Sequence, residues 1–175
     1  MSDNKTDNSR DRGLEEKGFV LNENGKPLTI NPTIYANYIL KNFKLVITEG
    51  QRFYIYENNI WRYINTEEEL ARMLIAFLNK DVPNFWTSAI ERRYIEGLKR
   101  LAPKVTFDDK KRYINLKNGV FDLEKDKLKT HSSKYLTTVR IPIEYDPDAQ
   151  CPKFKTFLRD IFRDDDQLIR LVKEV

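Results

Sequence analysis

With 175 residues, 40% of them hydrophobic and 12% aromatic, the chain can bury a real core and fold as one domain or two small ones. Lys and Arg number 31 against 27 Asp and Glu, a formal net charge of +4 that permits a polyanionic partner without requiring one. Cys151 is the single cysteine, which excludes an internal disulfide and a cysteine-built zinc cluster, and no apolar run approaches the roughly 20 residues that span a bilayer, so a cytoplasmic protein with no membrane partner is expected.

Residues 1–17 hold one leucine among Asn, Asp, Ser, Arg and Lys, too polar to offset the entropy of ordering, and read as a disordered tail. In NPTIYANYILKNF, Asn31 is placed to cap a helix with Pro32 in its first turn and Ile34, Tyr35, Tyr38 and Ile39 at helical spacing. KLVITEGQRFYIYENNIWRYI alternates β-branched and aromatic residues with breaks at Glu49-Gly50 and Glu57-Asn58-Asn59, the pattern of a three-stranded meander. Thr66 and Glu69 form a capping box opening a helix striped by Leu70, Met73, Leu74, Phe77 and Leu78. A further helix is expected to open at Asn84, to carry Trp86, Ile90, Tyr94, Ile95, Leu98 and Leu101 on its apolar side and basic residues on the other, and to stop at Pro103.

YINLKNGVFDLEKDKL, residues 113–128, reads as three short strands joined by two tight turns. Asn118-Gly119 suits a two-residue hairpin with positive φ at both positions, and strand alternation puts Val120, Asp122 and Glu124 on one face, Phe121 and Leu123 on the other. This is structural hairpin chemistry carrying solvated charges. SKYLTTVRIPIEYDPDAQCP follows as a strand leading into a Pro-punctuated loop, and KFKTFLRDIF resumes helical spacing through Phe154, Phe157, Leu158 and Ile161. A last helix in RDDDQLIRLVKEV carries Leu168, Ile169, Leu171 and Val172 up to the final residue without a glycine cap, as expected of a piece of a longer polypeptide. The fold class is α+β, small antiparallel hairpins and meanders packed with amphipathic helices: a tail (1–17), an α/β subdomain with a basic helix (18–106), and a hairpin with C-terminal helices leading towards a further domain (107–175).

Reaction chemistry finds little support. Asp164, Asp165 and Asp166 suit a helix start better than a metal site, because consecutive residues there point in different directions. Asp108 and Asp109 read as a solvated turn, His131 beside Ser132 and Ser133 as a polar loop, and Cys151 before Pro152 as an inert helix start. Nothing matches G-x-x-x-x-G-K-[ST], so neither ATP nor Mg is expected to bind this chain. The basic residues Arg92, Arg93, Lys99, Arg100, Lys104, Lys110, Lys111 and Arg112 form a segment able to track a phosphate backbone, with Tyr94 and Tyr113 as nearby rings and a merely solvated face as the alternative. Exposed aromatic residues such as Trp61 and Tyr63 are candidates for a protein contact.

NGVFDLEKDKLKTHSSKYLTT, followed by IPIEYDPDAQCPKFKTFLRDIF and DDDQLIRLVKEV, resembles the module that precedes the superfamily-three helicase domain in phage, plasmid and poxvirus primase-helicases. FYIYENNIWRYINTEEELARMLIAFL is similar to the same family's Trp-bearing hairpin and acid-capped helix. The resemblance implies a non-catalytic accessory module in DNA replication that helps an ATP- and Mg-dependent ring motor, absent from this chain, to engage DNA and assemble. Its implied partners are DNA, the chain's own helicase domain, neighbouring subunits and other replication proteins, in the cytoplasm of a bacterial host. The alternatives are a protein-interaction or oligomerisation module and a free-standing phage regulator.

Overall fold

The computed structural model describes residues 3–107 and 112–174, with side chains described within 10–107 and 112–171. It opens with helix α1 (Asp3–Glu16), where a disordered tail is expected from composition. A few side chains anchor this polar segment: Leu14 is buried in the main core, and the Lys17 ammonium pairs with Asp81 while lying 5.5 Å from the centre of the Tyr38 ring. Strands β1 (Phe19–Leu21) and β2 (Pro27–Ile30) then form an antiparallel hairpin.

Helix α2 (Pro32–Asn42) begins as its sequence dictates, with the Asn31 side chain accepting from the amides of Thr33 and Ile34. The first meander consists of β3 (Leu45–Ile47), β4 (Phe53–Glu57) and β5 (Ile60–Tyr63), in that order and antiparallel. Its second turn places Asn58 and Asn59 at φ of 50° and 66°, the left-handed pair of a two-residue hairpin. Helix α3 (Glu67–Asp81) is capped by Thr66 Oγ1, which accepts from the Glu69 amide at 3.1 Å. Glu69 reaches back to the amide of Asn65 rather than to that of Thr66, a capping box displaced by one residue.

Helix α4 (Ser88–Leu101) starts later than the apolar spacing implies. Asn84 lies at φ 59°, which no helix accommodates, and Thr87 supplies the cap by accepting from the Ile90 amide at 3.2 Å. Trp86 is thereby excluded from the helix. The helix packs across α2 at Gly97, where a Cβ would sit 2.6 Å from the Pro32 carbonyl oxygen and 3.0 Å from the Ala36 Cβ. Tyr35, Ile39, Ile47, Leu70, Leu74, Leu78, Tyr94 and Leu98 meet in one core between α2, α3, α4 and the first meander.

The second meander is β6 (Tyr113–Leu116), β7 (Gly119–Asp122) and β8 (Lys127–Lys129). Its first turn is centred one residue earlier than expected: Leu116 pairs with Gly119, and neither Asn118 nor Gly119 takes a positive φ. Gly119 serves close approach instead, since a Cβ there would lie 2.5 Å from the Lys129 carbonyl oxygen. Asn118 uses its amide as a second backbone, donating to the carbonyl and accepting from the N–H of Tyr145, both at 2.9 Å.

Residues 136–150 contain no strand, only an isolated parallel bridge of Ile141 to Leu116. A short 3-10 turn (Ser133–Tyr135) precedes them, and Pro142 and Pro147 remove two of the donors a ladder would use. Helices α5 (Pro152–Phe162) and α6 (Asp166–Glu174) close the fold as a helical hairpin. Asp165 caps α6 by accepting from the amides of Gln167 and Leu168. Leu158 and Ile169 are buried, whereas Phe154, Phe157, Ile161, Leu168 and Leu171 are exposed.

Candidate nucleic-acid interface

The outer side of α4 is where the expected basic surface takes form. Its inner side buries Ile90, Tyr94, Ile95, Gly97 and Leu98, which leaves Arg92, Arg93 and Arg100 exposed on the opposite arc. Arg92 and Arg93 have no ion-pair or hydrogen-bond partner among the described residues. Arg100 lies 3.6 Å from Glu96 one turn back, an exposed pair of small worth. Lys99 is partly covered and pairs with Glu67 at the start of α3. Lys104 projects from a segment whose backbone is bonded to the edge of β3, through the amide of Ile47 to Pro103 and that of Val105 to Ile47.

Arg112 has a different occupation. Its guanidinium grips Asp122 with Nε and Nη2 at 2.8 and 2.9 Å and also pairs with Glu124, so it is not available as a phosphate contact. Lys110 and Lys111 lie outside the described residues. Of the eight basic candidates, then, Arg92, Arg93, Arg100 and Lys104 are exposed, while Lys99 and Arg112 are engaged by carboxylates of the protein itself. Tyr94 is fully buried, with its pKa pushed far up by burial, and takes no part in the surface.

Asp122 overturns the expectation of solvated hairpin charges. It shares a face with Val120 as strand alternation requires, but that face is interior, and its side chain is 0% exposed. Besides Arg112 it accepts from Lys129 Nζ at 2.5 Å; the ring of Tyr113 lies against both cations and that of Tyr135 against Lys129. The Arg112 hydrogen bonds, with those of Lys129, hold the carboxyl well below the usual carboxylate range.

The two exposed aromatic candidates also separate. Trp61 is only 4% exposed, which corrects its place among surface residues: its indole N–H donates to the Ser133 carbonyl at 2.8 Å and its amide to that of Thr137 at 3.0 Å. Tyr63 is 38% exposed, with its ring against Tyr54 and Arg52. Trp61 thus stands at the joint between the meanders. Asn115 completes this joint by donating to Asn59 O and Thr137 Oγ1, both at 2.8 Å, and Arg140 by donating to Asn58 O at 3.1 Å. Sequence reasoning missed Asn115; the available signal was a polar side chain between Ile114 and Leu116 in a strand.

The remaining polar candidates are accounted for by local structure. His131 Nε2 lies 2.9 Å from the Leu116 carbonyl, Ser132 caps the 3-10 turn, and Cys151 is exposed ahead of α5. Among the described residues no group of three or more His, Cys, Asp or Glu is placed to hold a metal ion, and no helix is long and apolar enough to cross a membrane.

Two small meanders linked through residues 133–141 and braced by helices, with a basic outer helix, make up the described fold. The D5 N terminal like family model matches residues 34–163. The chain therefore belongs to that family, the N-terminal domain of D5-like primase-helicases from phages, plasmids and poxviruses, a non-catalytic module of replication proteins. No curated protein gives a significant match to the chain.

Proposed function

We propose that this chain is the accessory module of a phage or plasmid replicative helicase and that it helps the motor engage DNA through the outer side of α4. The observation that carries this reading is the pair Arg92 and Arg93, exposed and without partners among the described residues on a helix whose other side is committed to the core. Two cations not neutralised by the protein's own carboxylates are free to neutralise phosphates and release their counterions. The module supplies no reaction of its own; ATP and Mg belong to the motor domain.

The test is a salt series of DNA binding by fluorescence anisotropy. Each phosphate contact contributes about 0.7 to the log–log salt slope on a single strand, so R92A/R93A should flatten that slope by about 1.4 and weaken binding alike for unrelated sequences. K99A should change it little, because Glu67 already holds that ammonium. An R92A/R93A variant with unaltered slope and affinity would remove α4 from the DNA surface.

A second reading has its own observation. Phe154, Phe157, Ile161, Leu168 and Leu171 leave the α5–α6 hairpin with an uncovered apolar face, large side chains that soluble surfaces rarely cluster. Its charges are self-complementary: Lys153 and Lys155 stand at one end of α5, and Asp164, Asp165 and Asp166 at the other. An antiparallel pairing of two copies would bring each basic end to the other's acidic turn. F157D should then convert a concentration-dependent dimer to monomer in sedimentation equilibrium; a wild type that stays monomeric at every concentration refutes this reading.

A further inference from the structure

We infer that Trp86 is a base-stacking platform for a single-stranded polynucleotide whose backbone is held by Arg92 and Arg93, an assignment that rests on α4 being the nucleic-acid face. The left-handed turn at Asn84 and the late cap at Thr87 keep residues 85–87 outside the helix. Phe85 takes the inward position, its ring 5.5 Å from that of Phe19 and packed on the core. Trp86 is left outside, 42% exposed.

Its environment differs from that of the other exposed rings. Tyr63 lies against Tyr54 and Arg52, and Phe154 and Phe157 stack on each other. Trp86 alone among the exposed aromatic side chains described has neither a ring nor a cation against it. The indole N–H donates to Glu91 Oε2 at 2.8 Å, which fixes the ring by its polar edge beside the first turns of α4, one residue before Arg92 and Arg93. An indole held by its edge, 42% exposed and with no ring or cation stacked on it, a few residues before two guanidinium groups without partners among the described residues, supplies the parts by which proteins bind single strands. Duplex DNA buries the faces of its bases in its own stack, so a lone surface tryptophan selects unpaired bases. It does so with little sequence preference, because every base has a π-face.

The two tryptophans make the test direct. Trp61 is buried with its N–H bonded to Ser133, so its emission serves as an internal reference for folding. Titration with oligothymidylate of about 16 nucleotides, the upper end of footprints for such surfaces, should quench the Trp86 emission saturably, while duplex of the same length should not. W86A should abolish the quenching and weaken single-strand binding about fivefold or more, leaving duplex binding unchanged. R92A/R93A should weaken binding yet preserve quenching at saturation. Stacking does not read the sugar, so an oligouridylate arm determines whether a deoxy strand, a ribo strand or both are accepted; quenching by either supports the assignment. Binding of oligothymidylate with unaltered emission, or equal single-strand affinity in W86A, overturns the stacking platform while leaving α4 as a DNA surface. Absence of binding to any strand or duplex overturns both.

Discussion

Replacement of Asp122 by alanine is expected to be among the most damaging single changes in this protein, with a fall in Tm on the order of 10 °C. The carboxylate is the one anion shared by Arg112 and Lys129, and it lies on the interior face of the second meander. Its removal leaves two cations facing each other beside Tyr113 and Tyr135, with Glu124, exposed to solvent, as the remaining carboxylate on Arg112. Losing the central anion of such a group costs more than the group contributes when intact, because the two cations, with 21% and 26% of their side chains exposed, stay largely covered without their counter-ion. Calorimetry of D122A against a surface control, E144A, checks the effect; equal Tm values would mean that the cluster is ornamental.

The same group gives the second meander a pH dependence of definite sign. Asp122 titrates well below its usual range in the folded protein because Arg112 and Lys129 favour its charged form. Its stabilisation is therefore complete above the unfolded value of about 3.9 and is lost as pH falls below that value towards the folded one. Glu69, held low by Arg62 and the Asn65 amide, acts in the same direction. Urea midpoints measured between neutral and acidic pH should drop more steeply for the wild type than for D122N.

Two glycine-to-alanine changes, both within helices, should have opposite signs. Gly97 sits where α4 crosses α2, and an added Cβ meets the Pro32 backbone and Ala36. G97A is expected to cost about 2 kcal/mol despite the better helix propensity of alanine, and G97V about 3 kcal/mol or more. Gly13 lies in α1 with nothing within 4 Å of its Cβ position, so G13A should gain about 0.5–1 kcal/mol. Equilibrium urea unfolding of the two variants decides the matter: a G97A protein as stable as G13A would mean that the α2–α4 crossing is looser than its geometry implies.

Local chemistry was legible wherever a rule is satisfied within a few residues. Asn31-Pro32 and Thr66 cap the helices they were expected to cap, and the alternation in residues 45–63 gives three antiparallel strands. Rules that depend on partners distant in sequence misled. Asp122 looks like any hairpin acid until Arg112 and Lys129 are brought to it by the register of β6, β7 and β8. Trp61 looks like a surface aromatic until residues 133–137 are laid along the edge of β5. The Asn-Gly pair implies a conformational role for Gly119, whereas the strand beside it makes that role clearance. For the basic segment, sequence shows which residues carry charge, whereas only the fold shows which of those charges are already spent.

The link between the meanders has one further property, in how it would respond to sequence drift. At the β4–β5 tip the bonds from Asn115 and Arg140 end on the carbonyl oxygens of Asn59 and Asn58, so the tip is recognised as a shape rather than as a set of side chains. Any dipeptide that adopts the left-handed conformation at both positions offers the same two oxygens. Asn-Gly or Gly-Gly could replace Asn58-Asn59 with the joint intact, whereas a β-branched residue there would uncouple the halves without touching a single contact atom of the donors. The vocabulary open to mutation at this tip is therefore set by torsion angles, and divergent sequences can preserve the joint while sharing neither residue of the tip.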